Sequence, residues 1–375
     1  MPDVDDEAIR VSTLELFFDL VFVFTITQLT TVLTKEDTLK GLLQVVLMLG
    51  VIWWMYGGYA WLTNAVAPDR ASRRLLLLAG MASYLLLALA IPRAFGDGGP
   101  AFGLAYVAIV SVHTVLFTRT SDETVARAIA QIAPFNAVTG GLVLAGGIAG
   151  GTAQYVLWAV AFLAEWASGL LGGSEGFEVQ PAHFVERHGL VVIVALGESV
   201  VAIGIGAAGL KLDAALAGVA VLGLLLTACL WWAYFGGDDE AAERALAGAQ
   251  LMDRARMSLR AFGIWHLPIL LGIVAVAAGL KKATGHPFDH LHGPQALALA
   301  GGAAVFLIGD VMFRRTLAIG PSGARTAAAL AALATIPIGL GVSAAAQIVA
   351  LVLLVGGALA LERGPTRRAA RSRSA

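Results

Sequence analysis

Charge is what this chain has least of. Only 14% of its 375 residues are Asp, Glu, Lys or Arg, against about 25% in soluble domains. With 58% hydrophobic residues and a mean hydropathy of +0.80, a soluble fold could not cover its own surface. A bilayer removes that need, because lipid solvates an apolar exterior. Cysteine is nearly absent. Cys229 stands alone in an apolar run, which excludes an intramolecular disulfide, and no Cys/His cluster has zinc spacing. A net charge of −1 gives no field that would draw nucleic acid. The opening MPDVDDEAIR is acidic, whereas a secretory signal begins basic and ends at a small-residue cleavage site, so the first apolar run is expected to stay as a helix. Walker, GxSxG and HExxH signatures are missing. Gly204 to Gly209 has the GxGxxG form but ends an apolar run instead of following a strand. No catalytic residue, metal or cofactor is therefore assigned, and the expectation is a non-enzyme.

Apolar runs and glycine are plentiful. The 44 glycines would weaken soluble helices but suit membrane helices, whose backbones approach closely at small residues. Apolar runs of about 20 residues, each able to cross ~30 Å of hydrocarbon, fall at 11–33, 41–62, 74–92, 100–118, 126–148, 152–171, 188–208, 213–235, 257–280, 294–314, 324–342 and 344–361. They lack the period-2 polarity of a barrel. The fold class read from them is all-α, a polytopic membrane helix bundle of about twelve spans.

Loop charge sets the orientation. With a cytoplasmic N-terminus and twelve spans, only Lys35, Lys40, Arg93, Lys211, Lys281 and Lys282 fall outside, and the other 19 of the 25 basic residues fall inside. Both termini are then cytoplasmic. The expected organisation is an N-terminal segment 1–10, a first six-helix repeat 11–171, a linker 172–187, a second repeat 188–361 and a disordered basic tail 362–375.

The chain also repeats itself. Trp53-Trp54-Met55-Tyr56 matches Trp231-Trp232-Ala233-Tyr234, and Asp69-Arg70-Ala71 matches Asp253-Arg254-Ala255. Gly99-Pro100 matches Gly293-Pro294, and Ala153-Gln154 matches Ala346-Gln347, at offsets of 178, 184, 194 and 193. The shared order carries the argument. A six-span period sends both halves into the membrane in the same direction, a parallel 6+6 repeat.

Charges inside spans are functional hypotheses by default. Glu15 and Asp19 lie four residues apart, on one face of the first span. Asp19 lies ~12 Å below the start of that span at 1.5 Å per residue. The seventh span opens on His183, Glu186, Arg187 and His188 and carries Glu198 ~15 Å past His188. An offset of 179 sets Glu198 opposite Asp19, where two acids at matching depth would face a shared axis. Asp19, Glu15, Glu198, Glu186, Arg187 and His188 are the candidates for an ion, proton or substrate path. For each of them, pinning helices together is the competing reading. Trp53, Trp54, Trp231, Trp232, Asp69, Arg70, Asp253, Arg254 and Asp310 are structural or gating candidates, with an intrahelical pair to Arg314 or Arg315 the simplest account of Asp310. His113 and His266 read as packing residues. His286, His290 and His292 with Asp289 form an outer-loop cluster, read as exposed histidines or a metal site. The partner implied is the lipid bilayer, with a small ion or solute and a homo-oligomer as further candidates.

Leu14-Glu15-Leu16-Phe17-Phe18-Asp19-Leu20-Val21-Phe22-Val23-Phe24 with Ile26-Thr27-Gln28-Leu29, and later Glu186-Arg187-His188-Gly189 with Leu196-Gly197-Glu198-Ser199, resemble the two signatures of the bacterial low temperature requirement A family. The resemblance covers nearly the whole chain and implies a multi-pass bacterial inner-membrane protein. The family's name records a need for growth in the cold, not a molecular activity. Phe17-Phe18-Asp19 with Phe22, Ile26 and Thr27 is also similar to the FSD-type opening helix of a potassium channel family, whose six-span repeats line a pore with their first helices. Phe18 stands where that motif has serine. Asp69-Arg70 with Arg73-Arg74 after the second span resembles major facilitator transporters. These likenesses imply transport, as a channel or a carrier. The rival expectation is a non-transporting sensor or scaffold.

Overall fold

In hydrocarbon every backbone N–H and C=O must find its partner within the segment, so long apolar runs fold as helices. The computed structural model describes residues 11–65, 70–118, 123–171 and 179–373, and these are helical nearly throughout. The helices are α1 (Thr13–Lys35), α2 (Leu39–Ala65), α3 (Ala71–Ala90), α4 (Gly99–Thr118), α5 (Glu123–Ala149), α6 (Gly151–Leu171), α7 (Pro181–Gly206) and α8 (Ala214–Phe235). The series continues with α9 (Asp238–Gly248), α10 (Leu251–Ser258), α11 (His266–Gly285), α12 (Gly293–Thr316), α13 (Gly323–Leu333), α14 (Ile336–Gly341) and α15 (Ala344–Arg373). Among the described residues eleven helical stretches are long and apolar enough to cross a membrane. The sixth expected span, α6, forms as a helix but is not one of the eleven. It carries Gln154 and Glu165, both buried.

Two compact units divide the chain. The first takes the segments up to Thr25, Gly50–Val191 and Asp239–Leu259, and the second takes Ile26–Leu49, Val192–Asp238 and the chain from Arg260 onward. Helices α3 to α6 lie wholly in the first unit, and α8 and α11 to α15 in the second, while α1, α2 and α7 give a segment to each.

In the first unit α3 packs on α4, α4 on α5 and α5 on α6. Trp158 of α6 stacks on Phe102 of α4 at 4.7 Å and donates its indole N–H to the Val143 carbonyl of α5 at 2.9 Å. An apolar body with one polar tip satisfied is how a buried tryptophan holds helices together.

In the second unit the principal packing is α11 on α12, with α13 and α15 beside them and α8 against α15. Gly272 and Gly302 allow that approach. A Cβ on Gly272 would meet the Gly302 carbonyl oxygen at 2.6 Å, and one on Gly302 would meet Val276 N at 2.8 Å. No other residue type permits such closeness.

Two of the repeat matches fall at like places. Gly99-Pro100 and Gly293-Pro294 each open a helix, α4 and α12, where proline's missing N–H costs nothing. Gln154, near the start of α6, donates its amide to the Ala94 carbonyl, and Gln347, near the start of α15, donates to the Ala296 carbonyl at 2.9 Å.

Several boundaries differ from the sequence reading. Helix α7 begins at Pro181, so His183, Glu186 and Arg187 lie on a helix, not in a linker. Hydropathy hides this because Arg187 reads as a loop residue until its acidic partners are known. Helix α15 runs on to Arg373, through most of the segment expected to be disordered. The segments 1–10 and 172–178, and Asp69 with them, lie outside the described residues.

Candidate functional site

The first unit contains a buried ionic cluster built from two i, i+4 pairs. Glu15 and Asp19 lie on α1, and His183 and Arg187 lie on α7. The Arg187 guanidinium is 3.1 Å from Asp19 Oδ1 and 3.6 Å from Glu15 Oε1, and His183 Nε2 is 3.1 Å from the same Glu15 oxygen. First acid meets first base and second meets second, so these helix segments run side by side in parallel. All four side chains are about 98% buried. Glu15 Oε2 also accepts from the backbone N–H and the hydroxyl of Ser12, both at 2.8 Å, and Tyr56 of α2 donates to Asp19 Oδ1 at 2.7 Å.

Hydrogen-bond accounting sets the charge of the cluster. The Gln180 N–H donates to Asn64 Oδ1 at 3.0 Å, which turns the Asn64 amide group toward His183 Nδ1 at 3.1 Å. An NH2 group can only donate, so Nδ1 is an acceptor and the ring proton sits on Nε2, the nitrogen that faces Glu15. His183 is thus neutral. Among the described residues two carboxylates face one guanidinium, and one negative charge is left over. Asp19 Oδ2 has no hydrogen-bond partner among the described residues.

Aromatic rings wall the cluster. Arg187 lies over the rings of Phe18 and Tyr56, at 5.7 and 5.8 Å, a favourable placement for a cation. Phe18, at the channel motif's serine position, packs among Tyr56, Tyr59 and Tyr84. His188 is buried, with its Nδ1 2.8 Å from the Phe184 carbonyl and its ring edge-on to Trp53.

The remaining candidates disperse. Glu186 is exposed and accepts from the Val11 N–H at 3.3 Å. Glu198 falls in the second unit and accepts from the Thr27 hydroxyl at 2.6 Å. Arg187 reaches the acids of α1, not Glu198. Trp53 is buried and stacks on Tyr56 at 5.1 Å, Trp54 lies near Trp166, and Trp231 and Trp232 are exposed. Arg70 is exposed. Asp253 pairs with Arg256 at 3.6 Å, while Arg254 donates to the carbonyls of Leu246, Ala247 and Ala249 at the end of α9 and so satisfies a helix C-terminus. Among the described residues no His, Cys, Asp or Glu group could hold a metal ion. In the outer loop, His286 pairs with Asp289, His290 meets the Leu340 carbonyl and His292 caps α12.

A second network lies in the second unit. Arg325 of α13 bonds Asp310 at 2.6 Å, Asp238 at 2.8 Å, Glu362 at 2.9 Å and the Ala233 carbonyl at 2.9 Å. Arg314 bonds Asp238 at 2.6 Å and the Pro321 carbonyl at 2.9 Å. Asp310 therefore pairs between helices, with Arg325, and not along its own helix. Among the described residues three carboxylates share two guanidiniums, again one negative charge in excess.

The family model of the bacterial low temperature requirement A protein matches residues 10–360. The chain belongs to that family. It is also similar to the uncharacterized protein RA0937 of Rhizobium meliloti (strain 1021), at 30% identity over 314 residues, 80% of this chain and 76% of that one. No solved structure matches. The low temperature requirement A family is thus represented here by a membrane-associated helical protein with buried acidic residues, and the two stretches that resemble its signatures are those that supply Glu15, Asp19 and Arg187.

Sequence reasoning missed several participants. Asn64 carries no charge and gave no signal, and Tyr56, also uncharged, stood out only within the repeated Trp-Trp-x-Tyr stretch. Glu165, on α6, and Arg325, in the eleventh expected span, were charges inside apolar runs and could have been found on that ground. Asp238 and Arg314 sit near helix ends, and Glu362 falls just past the twelfth expected run, where charge is ordinary.

Proposed function

We propose that this protein moves a small ion or solute across the bacterial inner membrane, as a channel or carrier with twelve spans in two parallel six-helix halves and cytoplasmic termini. The observation that carries the reading is the charge count of the α1–α7 cluster, where Glu15 and Asp19 share one Arg187 and a neutral His183. An uncompensated carboxylate in hydrocarbon costs ~3 kcal/mol or more, and such a cost persists where binding offsets it. A proton or a monovalent cation at the open Asp19 oxygen would balance the site. The parallel α1–α7 register and the matching Gly-Pro and Gln positions support the two halves.

The test is flux into liposomes containing the purified protein, under potassium, sodium and proton gradients. Flux is expected for the wild type, with loss in Asp19→Asn and Glu198→Gln, which keep shape and remove charge. Absence of flux in every gradient, with insertion confirmed, would refute transport. One observation favours a second reading, a non-transporting sensor or scaffold needed in the cold: Arg187 pairs with both acids of α1, as a helix-pinning cation would. On that reading Asp19→Asn changes stability alone.

A further inference from the structure

Glu165 of α6 takes no part in either ionic network. Its side chain is buried to about 1% exposure in the first unit, in a helix segment of Ala, Phe, Leu and Trp. No ion pair joins it to a cation among the described residues. Its closest hydrogen-bond partner there is the Tyr106 hydroxyl of α4, which contacts Glu165 Oε1 closely and also lies 3.3 Å from the Val51 backbone carbonyl of α2. The nearby Thr139 hydroxyl of α5 donates to the Asn136 carbonyl at 3.1 Å. Glu165 Oε2 has no hydrogen-bond partner among the described residues.

Protons must be counted across three oxygens. The Val51 carbonyl can only accept. The Tyr106 hydroxyl holds one proton and can serve one acceptor. For both contacts to be hydrogen bonds, Tyr106 donates to Val51 and the carboxyl donates to Tyr106. That chain needs Glu165 to be the acid, not the carboxylate. The setting agrees, because a buried charge is kept only where it is paired. We infer that Glu165 is held as a neutral carboxylic acid, a proton-binding site within the first unit whose ligand is a single proton. Its hydrogen-bond chain runs from the Glu165 O–H to the Tyr106 oxygen and from the Tyr106 O–H to the Val51 carbonyl. The site stands whether or not the α1–α7 cluster serves transport.

Infrared difference spectroscopy of the full-length protein in lipid bilayers at neutral pH, wild type minus Glu165→Gln, tests this. The expected difference is loss of one carboxylic-acid C=O stretch. Tyr106→Phe should keep an acid band and move it to higher frequency, since the acceptor for the acid proton is gone. Loss of the two carboxylate stretches in place of the acid band would overturn the assignment. Thermal melting gives the second readout. Glutamine can donate to Tyr106 as the acid does, so Glu165→Gln should melt with the wild type, while Glu165→Ala should melt lower. A Gln variant that melts as low as the Ala variant, or that fails to assemble, would contradict an acid at this position.

Discussion

Replacing Arg187 by methionine tests the charge count of the α1–α7 cluster directly. The side chain keeps an unbranched apolar stem and loses its charge. In the native arrangement the guanidinium lies 3.1 Å from Asp19 and 3.6 Å from Glu15. Unit charges at those distances attract by about 5 kcal/mol each at an effective dielectric of about 20. The desolvation that arginine itself suffers offsets much of this. Breaking a buried pair from one side then costs about 3–5 kcal/mol, and the variant would hold two buried carboxylates with no cation. Asp19→Asn acts differently, since it removes the surplus charge and leaves Glu15 with Arg187, and Tyr56 and Arg187 still donate to the amide oxygen. Its cost should be about 1–2 kcal/mol, the scale of one weakened charged hydrogen bond. The assay is thermal unfolding of purified protein in detergent, followed by tryptophan fluorescence. At roughly 2 °C per kcal/mol for a chain of this size, Arg187→Met should lower the midpoint by about 6–10 °C, and Asp19→Asn by a few degrees. A triple variant that also carries Glu15→Gln and Asp19→Asn should recover most of the loss, because no charge is then stranded. If Arg187→Met melts no lower than Asp19→Asn, or the triple variant recovers nothing, the cluster does not hold two ionised acids on one arginine.

Arg325→Met strands Asp310, Asp238 and Glu362 and should cost about 3–5 kcal/mol on the same scale; Arg325→Lys should not restore it, because a lysine cannot present the fork that serves several acceptors, and melting of both variants checks this. Gly272→Leu drives a side chain into the Gly302 carbonyl at the α11–α12 contact and should block assembly, while Gly218→Leu, with no neighbour within 4 Å, should assemble as the wild type does; yields by size-exclusion chromatography decide. Topology is open to cysteine labelling in a Cys229→Ser background. Glu36→Cys and Phe288→Cys, both exposed, should react with an impermeant maleimide from the periplasmic face, and reaction only after the inner face is opened would reverse the orientation.

The amino-acid sequence by itself determined the class of this protein. Low charge and repeated apolar runs leave a helical membrane protein as the solution that satisfies both the side chains and the backbone, and eleven of the expected runs recur as helices apolar and long enough to span. It also marked Glu15 and Asp19, because a charge inside an apolar run stands out against its neighbours, and it named Arg187 at the mouth of the seventh run. What it could not give was pairing. Arg187 looked like a loop residue, and Asp310 looked like the partner of an arginine on its own helix. Only the tertiary structure sets Arg187 against α1 and Asp310 against Arg325, because ion pairing depends on distances between helices that are remote in the chain. The neutral state of His183 was equally out of reach. It depends on which way the Asn64 amide turns, and that is fixed by the backbone N–H of Gln180, 116 residues along the chain.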